Sequence, residues 1–235
     1  MQRKEANIGK DTTLSIIAAS SEIDLEQPLF AINWFDTKRK WLYNLYVLLA
    51  SPYAQKVGAR MIFKGQQIEK ITGNDSDGRE LLLIVRYPTA GNFLQLMGFK
   101  MFLLISLLRI KAVKHFTFGF MQKITPNNPA GKAGKGSPAL FHHFKGLPIP
   151  LHQVEQLKEE AAKNHIQLLF AGTKAASLQR RQKGKTQEIP FLMEGLLLFQ
   201  GNDQTSLRHF FEHPTYRYFR EQQQDHYAAL LEKLF

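Results

Sequence analysis

The chain contains no cysteine among its 235 residues. This absence excludes disulfide bonds, thiolate metal ligands and cysteine nucleophiles, so any metal would need histidine and carboxylate ligands. It also suits a reducing compartment. The apolar part of the first residues, about Leu14 to Ala19, is shorter than a secretion signal requires. We therefore expect a cytoplasmic protein.

Recognisable catalytic signatures are also missing. There is no Ser-His-Asp order, paired-carboxylate pattern, dinucleotide fingerprint or metal-ligand spacing. The segment GKAGKGS invites comparison with a phosphate-binding loop, but Ser137 occupies the position where that loop needs lysine. Its proline and glycine content is typical of a linker. We predict a flexible linker over residues 123–138.

The third absence is that of an uninterrupted apolar run long enough to span a membrane. The most apolar stretch runs from Phe93 to Ile110, but Lys100 interrupts its middle and Arg109 closes it. A membrane-spanning helix needs about 20 mainly apolar residues, so we predict a buried helix here and no transmembrane segment. Because this helix is apolar nearly all round, its outer side must be covered by the other half of the chain, a second subunit or the N-terminal tail. A homo-oligomer formed through this helix is therefore one of the expected partners.

What is present is a repeated order of secondary structure. Alternating and continuous apolar patterns predict the order β-α-β-β-α-β over residues 29–122 and again over residues 139–235. Two local echoes favour a tandem duplication: MIFKG resembles LLFAG, and FLQLMGFKMF resembles LRHFFEHPTYRYF. Residues 1–28 are expected to be a flexible tail. Whether the second unit keeps its last strand stays open, since LLEKLF is short and prone to helix.

This layout resembles the dimeric α+β barrel superfamily, in particular its small uncharacterised and monooxygenase-like members. Three segments carry the resemblance: Arg86-Tyr87-Pro88, the helix with Phe93, Met97 and Phe102, and Phe211-Glu212-His213-Pro214-Thr215-Tyr216. The resemblance implies an α+β fold of two tandem ferredoxin-like units, whose antiparallel sheets pack as a dimeric α+β barrel within one chain.

The resemblance also implies a function. Members of the superfamily hold an aromatic or haem substrate in a pocket between sheet and helices, so we expect an internal pocket for a small hydrophobic or aromatic ligand. Cofactor-independent monooxygenation is the reaction to test, and a noncatalytic interaction protein is the alternative. In relatives an Asn and a Trp can assist that chemistry, which makes Asn33 and Trp34 pocket candidates, although adjacent strand residues point to opposite faces.

Charged and histidine side chains supply the other candidates. Arg86 and Glu194 lie in apolar strands and could enter the pocket as substrate anchors or form structural ion pairs. His209 and His213 are four apart in a predicted helix, a spacing that could ligate metal or haem iron. His142 and His143 share a strand, so one is expected to be buried and the other exposed. We expect no cofactor, with haem as the alternative.

The net charge of +11 raises nucleic acid as a further class of partner. The segment from Lys114 to Phe120 is similar to the aromatic motif of RNA-recognition domains, which share the β-α-β-β-α-β order. It lies after the second helix rather than in the third strand, where that motif belongs. Nucleic acid binding through a basic surface is therefore kept as an alternative and not as the main reading.

Overall fold

The computed structural model describes residues 1–124, 134–146, 149–189, 191 and 193–234. Most of the predicted linker, including the start of the GKAGKGS segment, lies outside the described residues. The part of the chain that is described has a mixed α+β fold with six α-helices and eleven β-strands.

The secondary structure begins with strands and ends with a strand. The strands are β1 (Arg3–Gly9), β2 (Thr12–Ala18), β3 (Leu29–Thr37), β4 (Arg60–Thr72), β5 (Leu81–Tyr87), β6 (Val113–Lys123), β7 (Pro138–Lys145), β8 (Gln167–Gln182), β9 (Lys185–Ile189), β10 (Gly195–Gln200) and β11 (Gln224–Lys233). The helices are α1 (Lys40–Lys56), α2 (Ala90–Gly98), α3 (Lys100–Ala112), α4 (Leu151–Lys163), α5 (Gln204–Glu212) and α6 (Pro214–Glu221).

Hydrogen bonding orders eight of the strands in a cycle. The order is β8-β10-β7-β11-β4-β5-β3-β6, and β6 pairs with β8 again. Strands β1 and β2 extend the sheet from β8, and β9 also pairs with β8.

By their internal contacts, the residues form two compact units that are discontinuous in sequence. Unit 1 consists of Met1–Ile62, Glu80–Gln122 and Ala175–Phe191, and unit 2 of Phe63–Arg79, Lys123–Lys174 and Leu192–Phe235. The last part of β4 therefore belongs to unit 2, and the last part of β8 belongs to unit 1.

In unit 1, β3 lies between β5 and β6, and α1, α2 and α3 supply the helices. The core contains the aromatic residues Tyr87, Phe93, Phe118 and Phe120 together with small and branched aliphatic side chains. Phe93 contacts Tyr87, Phe118 and Phe120 with ring centroids 5.0 to 5.8 Å apart.

The N-terminal segment of unit 1 is a hairpin, and the expectation of a flexible tail over residues 1–28 is wrong. β1 pairs with β2, and β2 pairs with the last part of β8. Asp11 adopts a left-handed φ of 57° between the two strands, which suits a tight turn. The strand over RKEANIG was not predicted because its residues are mostly polar or charged, although its exposed and half-buried positions alternate as in a strand.

The apolar stretch from Phe93 to Ile110 is not one helix. α2 and α3 meet at Phe99, whose backbone is extended, and the two axes differ by 90°. None of the described helices is by itself both long and apolar enough to span a membrane, and α2 with α3 meets the length and composition criteria only as this bent pair. The outer side of α2 packs on β1, as the option of an N-terminal cover anticipated. α3 instead packs on α1 and leaves apolar side chains exposed.

In unit 2, β7 lies between β10 and β11, flanked by the first part of β8 and the last part of β4. The last strand, which sequence left open, is present as β11. α4, α5 and α6 cover one face of this sheet, and α5 and α6 are separated at His213 by one residue of extended backbone. The core between them is rich in aromatic rings.

Candidate functional site

The helix-facing side of the unit 2 sheet has a histidine at its centre. Alternation along β7 directs Leu140, His142 and Phe144 toward the helices, and His142 is fully buried there. Five rings surround its imidazole with centroids 5.3 to 6.1 Å away: Phe144, Phe211, Tyr216, Phe219 and His226. A polar heterocycle thus lies inside an aromatic enclosure.

One nitrogen of this imidazole is paired and the other is not. Nδ1 of His142 lies 3.0 Å from the hydroxyl of Tyr216, whereas Nε2 is buried and has no hydrogen-bond partner among the described residues. Burial raises the pKa of Tyr216, so its phenol stays protonated and can donate to Nδ1. In that tautomer, Nε2 carries the hydrogen and can donate it; in the other tautomer, Nδ1–H donates to the Tyr216 oxygen and Nε2 is an acceptor.

Electrostatics keep His142 neutral. Burial lowers its pKa well below the usual 6.5, and the nearby His226, His143 and Arg220 lower it further. His142 is therefore a neutral donor or acceptor, and a base, at physiological pH.

Further unpaired polar atoms lie in the same unit. Nδ1 of His226 and Oε1 of Gln223 are buried and have no hydrogen-bond partner within the described structure. Burial lowers the pKa of His226, with a smaller contribution from Arg220. Buried polar groups in proteins are nearly always satisfied, so such exceptions mark places where a bound molecule or water would gain hydrogen bonds.

The opposite face of the same sheet carries His143. Its ring stacks on Tyr227 with centroids 5.5 Å apart, and its Nε2 has no partner among the described residues. Burial, followed by the charges of Arg79 and Lys145, lowers the pKa of His143 to about 3. The expectation that one of His142 and His143 would be exposed is wrong, because both faces of β7 are buried.

The structure places the first three pocket candidates in unit 1. On β3, Asn33 lies on the same side as Ala31, while Trp34 lies on the opposite side and is buried. The Asn33 amide donates to the main-chain oxygens of Ala31 and Leu83, each at 3.3 Å. Arg86 is half-buried on β5.

Glu194, the fourth candidate, belongs to unit 2 and precedes β10. Its carboxylate pairs with the Nζ of Lys174 at 2.9 Å, and its main-chain N–H donates to the oxygen of Phe144. Among the two roles open to Glu194, this geometry is that of a structural ion pair.

His209 and His213 do not share a helix face, so the expectation of paired ligands on one helix is wrong. α5 ends at Glu212, and His213 is extended because Pro214 follows it. His209 is exposed, while His213 Nε2 lies 3.3 Å from the Glu160 carboxylate. Across the described ranges, no group of three or more His, Asp or Glu side chains is arranged to hold a metal ion.

Sequence reasoning missed the combination of His142, Tyr216 and His226. These residues lie on β7, α6 and β11, and 74 residues separate His142 from Tyr216. The usable signal was the HH pair inside an apolar strand, since two histidines in such a strand cannot both reach solvent if the sheet is covered on both faces.

Fold and site together define a mixed α+β protein with closed antiparallel strand pairing and a buried histidine beneath the helices of unit 2. A Fusobacterium nucleatum protein named as a candidate monooxygenase is similar in fold, with 11% identity and a TM-score of 0.50 over 90% of this chain and 94% of its own. A Lactobacillus acidophilus protein of the same designation is 11% identical, with a TM-score of 0.49 over 88% and 94% of the two chains. A haem-binding protein from Thermus thermophilus is 9% identical, with a TM-score of 0.45 over 90% and 92%.

The likeness to the Fusobacterium nucleatum protein agrees with the predicted α+β fold class. At such low identity the likeness concerns the fold alone. No protein-family model and no curated protein matches the chain.

Proposed function

We propose that the protein binds a small hydrophobic or aromatic molecule on the helix side of the unit 2 sheet, with His142 as its polar anchor. The observation that supports this proposal is the buried, unpaired Nε2 of His142 inside a ring of aromatic side chains. Leaving such a group unsatisfied costs about 1–3 kcal/mol. A ligand with one oxygen and a planar apolar body would satisfy the nitrogen and pack against the rings.

The same arrangement supports a reaction without a cofactor. In the tautomer whose Nδ1–H donates to the Tyr216 oxygen, the Nε2 of neutral His142 has the lone pair that can take a proton from an activated methylene group of the ligand, and Tyr216 holds the imidazole in place. The resulting carbanion is itself the reductant for dioxygen. One oxygen atom would end as a new carbonyl group and the other as water, so that the two methylene hydrogens leave with that water.

Haem is a second candidate, supported by a single observation. A histidine that ligates iron through one nitrogen usually hydrogen-bonds through the other, and His142 has this pattern through Tyr216. Haem would supply iron-based redox chemistry. His142 would be the residue that holds it, since neither His209 nor His213 lies in such an enclosure.

Ligand binding can be tested by native mass spectrometry of the purified chain, followed by titration with naphthol and with naphthalene. The hydroxyl of naphthol should give it about tenfold higher affinity, because one hydrogen bond to Nε2 contributes about 1.4 kcal/mol. His142→Leu should remove that advantage and leave naphthalene binding nearly unchanged.

His143→Leu, on the opposite face of the same strand, is the matched control and should keep the preference for naphthol. Equal preference in wild type and His142→Leu, or no binding of either compound, would contradict the proposal. A haem titration read by visible absorbance separates the second candidate: a shifted Soret band should disappear in His142→Leu but not in His209→Leu. Dioxygen consumption with a bound methylene-bearing ligand separates an enzyme from a noncatalytic binding protein.

The finer account of the fold is also a proposal: two tandem ferredoxin-like units from a duplication. It is supported by matching elements. The orders β3-α1-β4-β5-α2-α3-β6 and β7-α4-β8-β9-β10-α5-α6-β11 differ only by β9, and each contains a helix broken before the last strand. Side chains of Thr89 and Asp203 cap α2 and α5 in the same manner.

A further inference from the structure

An exposed apolar surface covers the outer side of α1 and α3, both in unit 1. On α3, the exposed apolar side chains are Met101, Leu104, Leu107 and Ile110, spaced three residues apart so that each lies next to the following one on the helix surface. On α1 they are Trp41, Leu45, Leu48 and Leu49. We call these eight side chains the apolar face. Leu48 is 70% exposed and Trp41 and Ile110 are each 67% exposed, so these are not edges of the core.

The two helices run side by side in opposite directions. The Tyr53 ring of α1 contacts Phe99, just before α3, and Tyr46 lies under the guanidinium of Arg109 near the end of α3. The N–H groups of Lys38 and Arg39 donate to the main-chain oxygen of Ala112, which fixes the start of α1 beside the end of α3. The apolar face is therefore one surface on two helices.

Basic residues lie at both ends of this surface. Lys38, Arg39 and Lys40 meet Lys111 at one end, and Lys56 and Lys100 lie at the other. All six are exposed. Neither helix contains an acidic residue, and the sequence has no Asp or Glu from Thr37 to Ile68 or from Leu81 to Val154.

The acidic groups near the basic ends are few and engaged. Glu80 accepts hydrogen bonds from Thr37 and lies 3.7 Å from the Nζ of Lys40. Asp36 lies 2.7 Å from the ring of His115. The surface consequently combines exposed leucine, methionine and tryptophan with an excess of positive charge.

We propose that this face docks on the surface of a membrane that contains anionic lipids. Leucine, methionine and tryptophan side chains would enter the boundary between headgroups and acyl chains, while the lysine and arginine side chains would contact lipid phosphates. A second copy of the chain fits less well, because α1 and α3 carry only positive charges and would bring like charges together. A nucleic acid would satisfy the basic ends but leave the apolar side chains in water.

Vesicle binding by the full chain tests the proposal directly. The chain should sediment with vesicles of phosphatidylcholine mixed with phosphatidylglycerol and much less with phosphatidylcholine alone, and added salt should weaken the binding. Trp34 and Trp41 are the two tryptophans of the sequence, and Trp34 is 1% exposed. In a Trp34→Phe background, vesicles should shift the emission of Trp41 to shorter wavelength.

Two matched pairs of variants locate the surface. Leu107→Glu should lower the affinity for anionic vesicles by at least about tenfold, whereas Leu151→Glu, an equally charged change at an exposed leucine of α4, should leave it unchanged. Lys111→Gln should lower it by about fivefold and Lys183→Gln, in the β8–β9 turn, should have no such effect. Leu107→Ser repeats the test with a smaller perturbation, and thermal melting checks that each variant is folded.

Other results would overturn the inference. Absence of vesicle binding, or equal loss in Leu107→Glu and Leu151→Glu, would contradict it. A concentration-dependent dimer in analytical ultracentrifugation that Leu107→Glu abolishes, without vesicle binding, would assign the face to a second copy. Salt-dependent RNA binding that depends on Lys111 but not on Leu107, again without vesicle binding, would assign the charge to nucleic acid.

Discussion

β3 in unit 1 and β7 in unit 2 each lie between two neighbouring strands, and each carries a buried polar side chain. The two side chains differ in their hydrogen bonds. Asn33 is paired across to Leu83 and Phe118, and His142 is paired across to Leu197 and Ala228. The amide of Asn33 is satisfied by main-chain oxygens of its own sheet, whereas the Nε2 of His142 is not satisfied by any described residue. A buried polar group with hydrogen-bond partners in its own sheet stabilises the fold, whereas one without such partners is available to hydrogen-bond a bound molecule.

The surroundings of the two residues sharpen this contrast. Unit 1 packs Phe93, Phe118 and Phe120 in a core whose described residues include no histidine, while unit 2 places His142 and His226 against its aromatic rings. Both units bury aromatic side chains to a similar degree, so the difference lies in polarity and not in packing. The candidate site therefore belongs to unit 2.

The largest expected effect is on stability in acid. His142, His143 and His226 have lowered pKa values in the folded state, so below the usual 6.5 the unfolded chain binds more protons. Their stabilisation is present above pH 6.5 and is lost as pH falls. For His143, whose folded pKa is about 3, the loss continues to about pH 3 and reaches about 5 kcal/mol.

Urea unfolding at a series of pH values measures this loss. His143→Phe should reduce the dependence of the free energy of unfolding by about 1.4 kcal/mol per pH unit between pH 6 and pH 4. In hydrogen exchange, amides of β7 and β11 should lose protection at higher pH than amides of β3 and β5. Loss of protection at the same pH in both sets of amides would contradict the difference between the two units.

Two glycines should show that packing is equally tight in both units. A Cβ on Gly119 would lie 2.0 Å from the Cγ of Phe191, and a Cβ on Gly195 would lie 2.2 Å from the Cε2 of Phe144. We expect Gly119→Ala and Gly195→Ala each to lower the free energy of unfolding by about 1–3 kcal/mol, because a ring must move.

The measurement is the midpoint of urea unfolding. Gly9→Ala is the control, since nothing lies within 4 Å of its Cβ. Phe144→Leu should relieve part of the cost of Gly195→Ala but none of the cost of Gly119→Ala. Full additivity of Phe144→Leu with Gly195→Ala would refute the packing explanation.

The smallest effect concerns the caps that begin α2 and α5. Thr89 accepts a hydrogen bond from the N–H of Asn92 at 3.3 Å, and Asp203 accepts one from the N–H of Ser206 at 2.8 Å. Thr89→Ala should cost about 1 kcal/mol of stability. Hydrogen bonds from Ser206 lower the pKa of Asp203, so its contribution is lost only as pH falls below the usual 3.8.

Thermal melting compares the two caps. Asp203→Ala should lower the melting temperature more than Thr89→Ala at neutral pH, and the difference should shrink in strong acid. Exchanging the residue types, by Thr89→Asp and Asp203→Thr, should leave both variants folded with nearly unchanged melting temperatures. A larger fall for Thr89→Ala than for Asp203→Ala at neutral pH would contradict the greater contribution of the ionised Asp203 cap.

Much of the fold could be predicted from apolar periodicity. Leu81 to Val85 indicated a covered strand, and the turn residues before it indicated the β4–β5 connection. The break at Phe99 could not be predicted, because neither Gly98 nor Phe99 excludes a helix and tertiary packing bends the chain there. The β1–β2 hairpin was missed because its stability depends on pairing with β8, which is about 160 residues away.

The candidate site was less accessible to sequence reasoning. In the sequence, His142 is notable only as one of two adjacent histidines. No spacing relates it to Tyr216, because only the folded chain brings α6 beside β7. His209 and His213 have the spacing of neighbours on a helix, but Pro214 disfavours helical backbone at His213, which is extended. Local patterns predict which face a residue occupies, whereas a site assembled from three separate elements requires the fold.

The division of β4 and β8 has a consequence for how the chain is made. Unit 1 includes Ala175–Phe191 from late in the sequence, and unit 2 includes Phe63–Arg79 from early in it. When a ribosome has released only the first 124 residues, neither unit has all of its residues. The contacts that complete unit 1 join positions far apart in sequence, which is a topology that folds slowly. During synthesis, β2 and β6 therefore lack their β8 partner, and their unpaired edges are open to pairing with other chains until β8 has emerged.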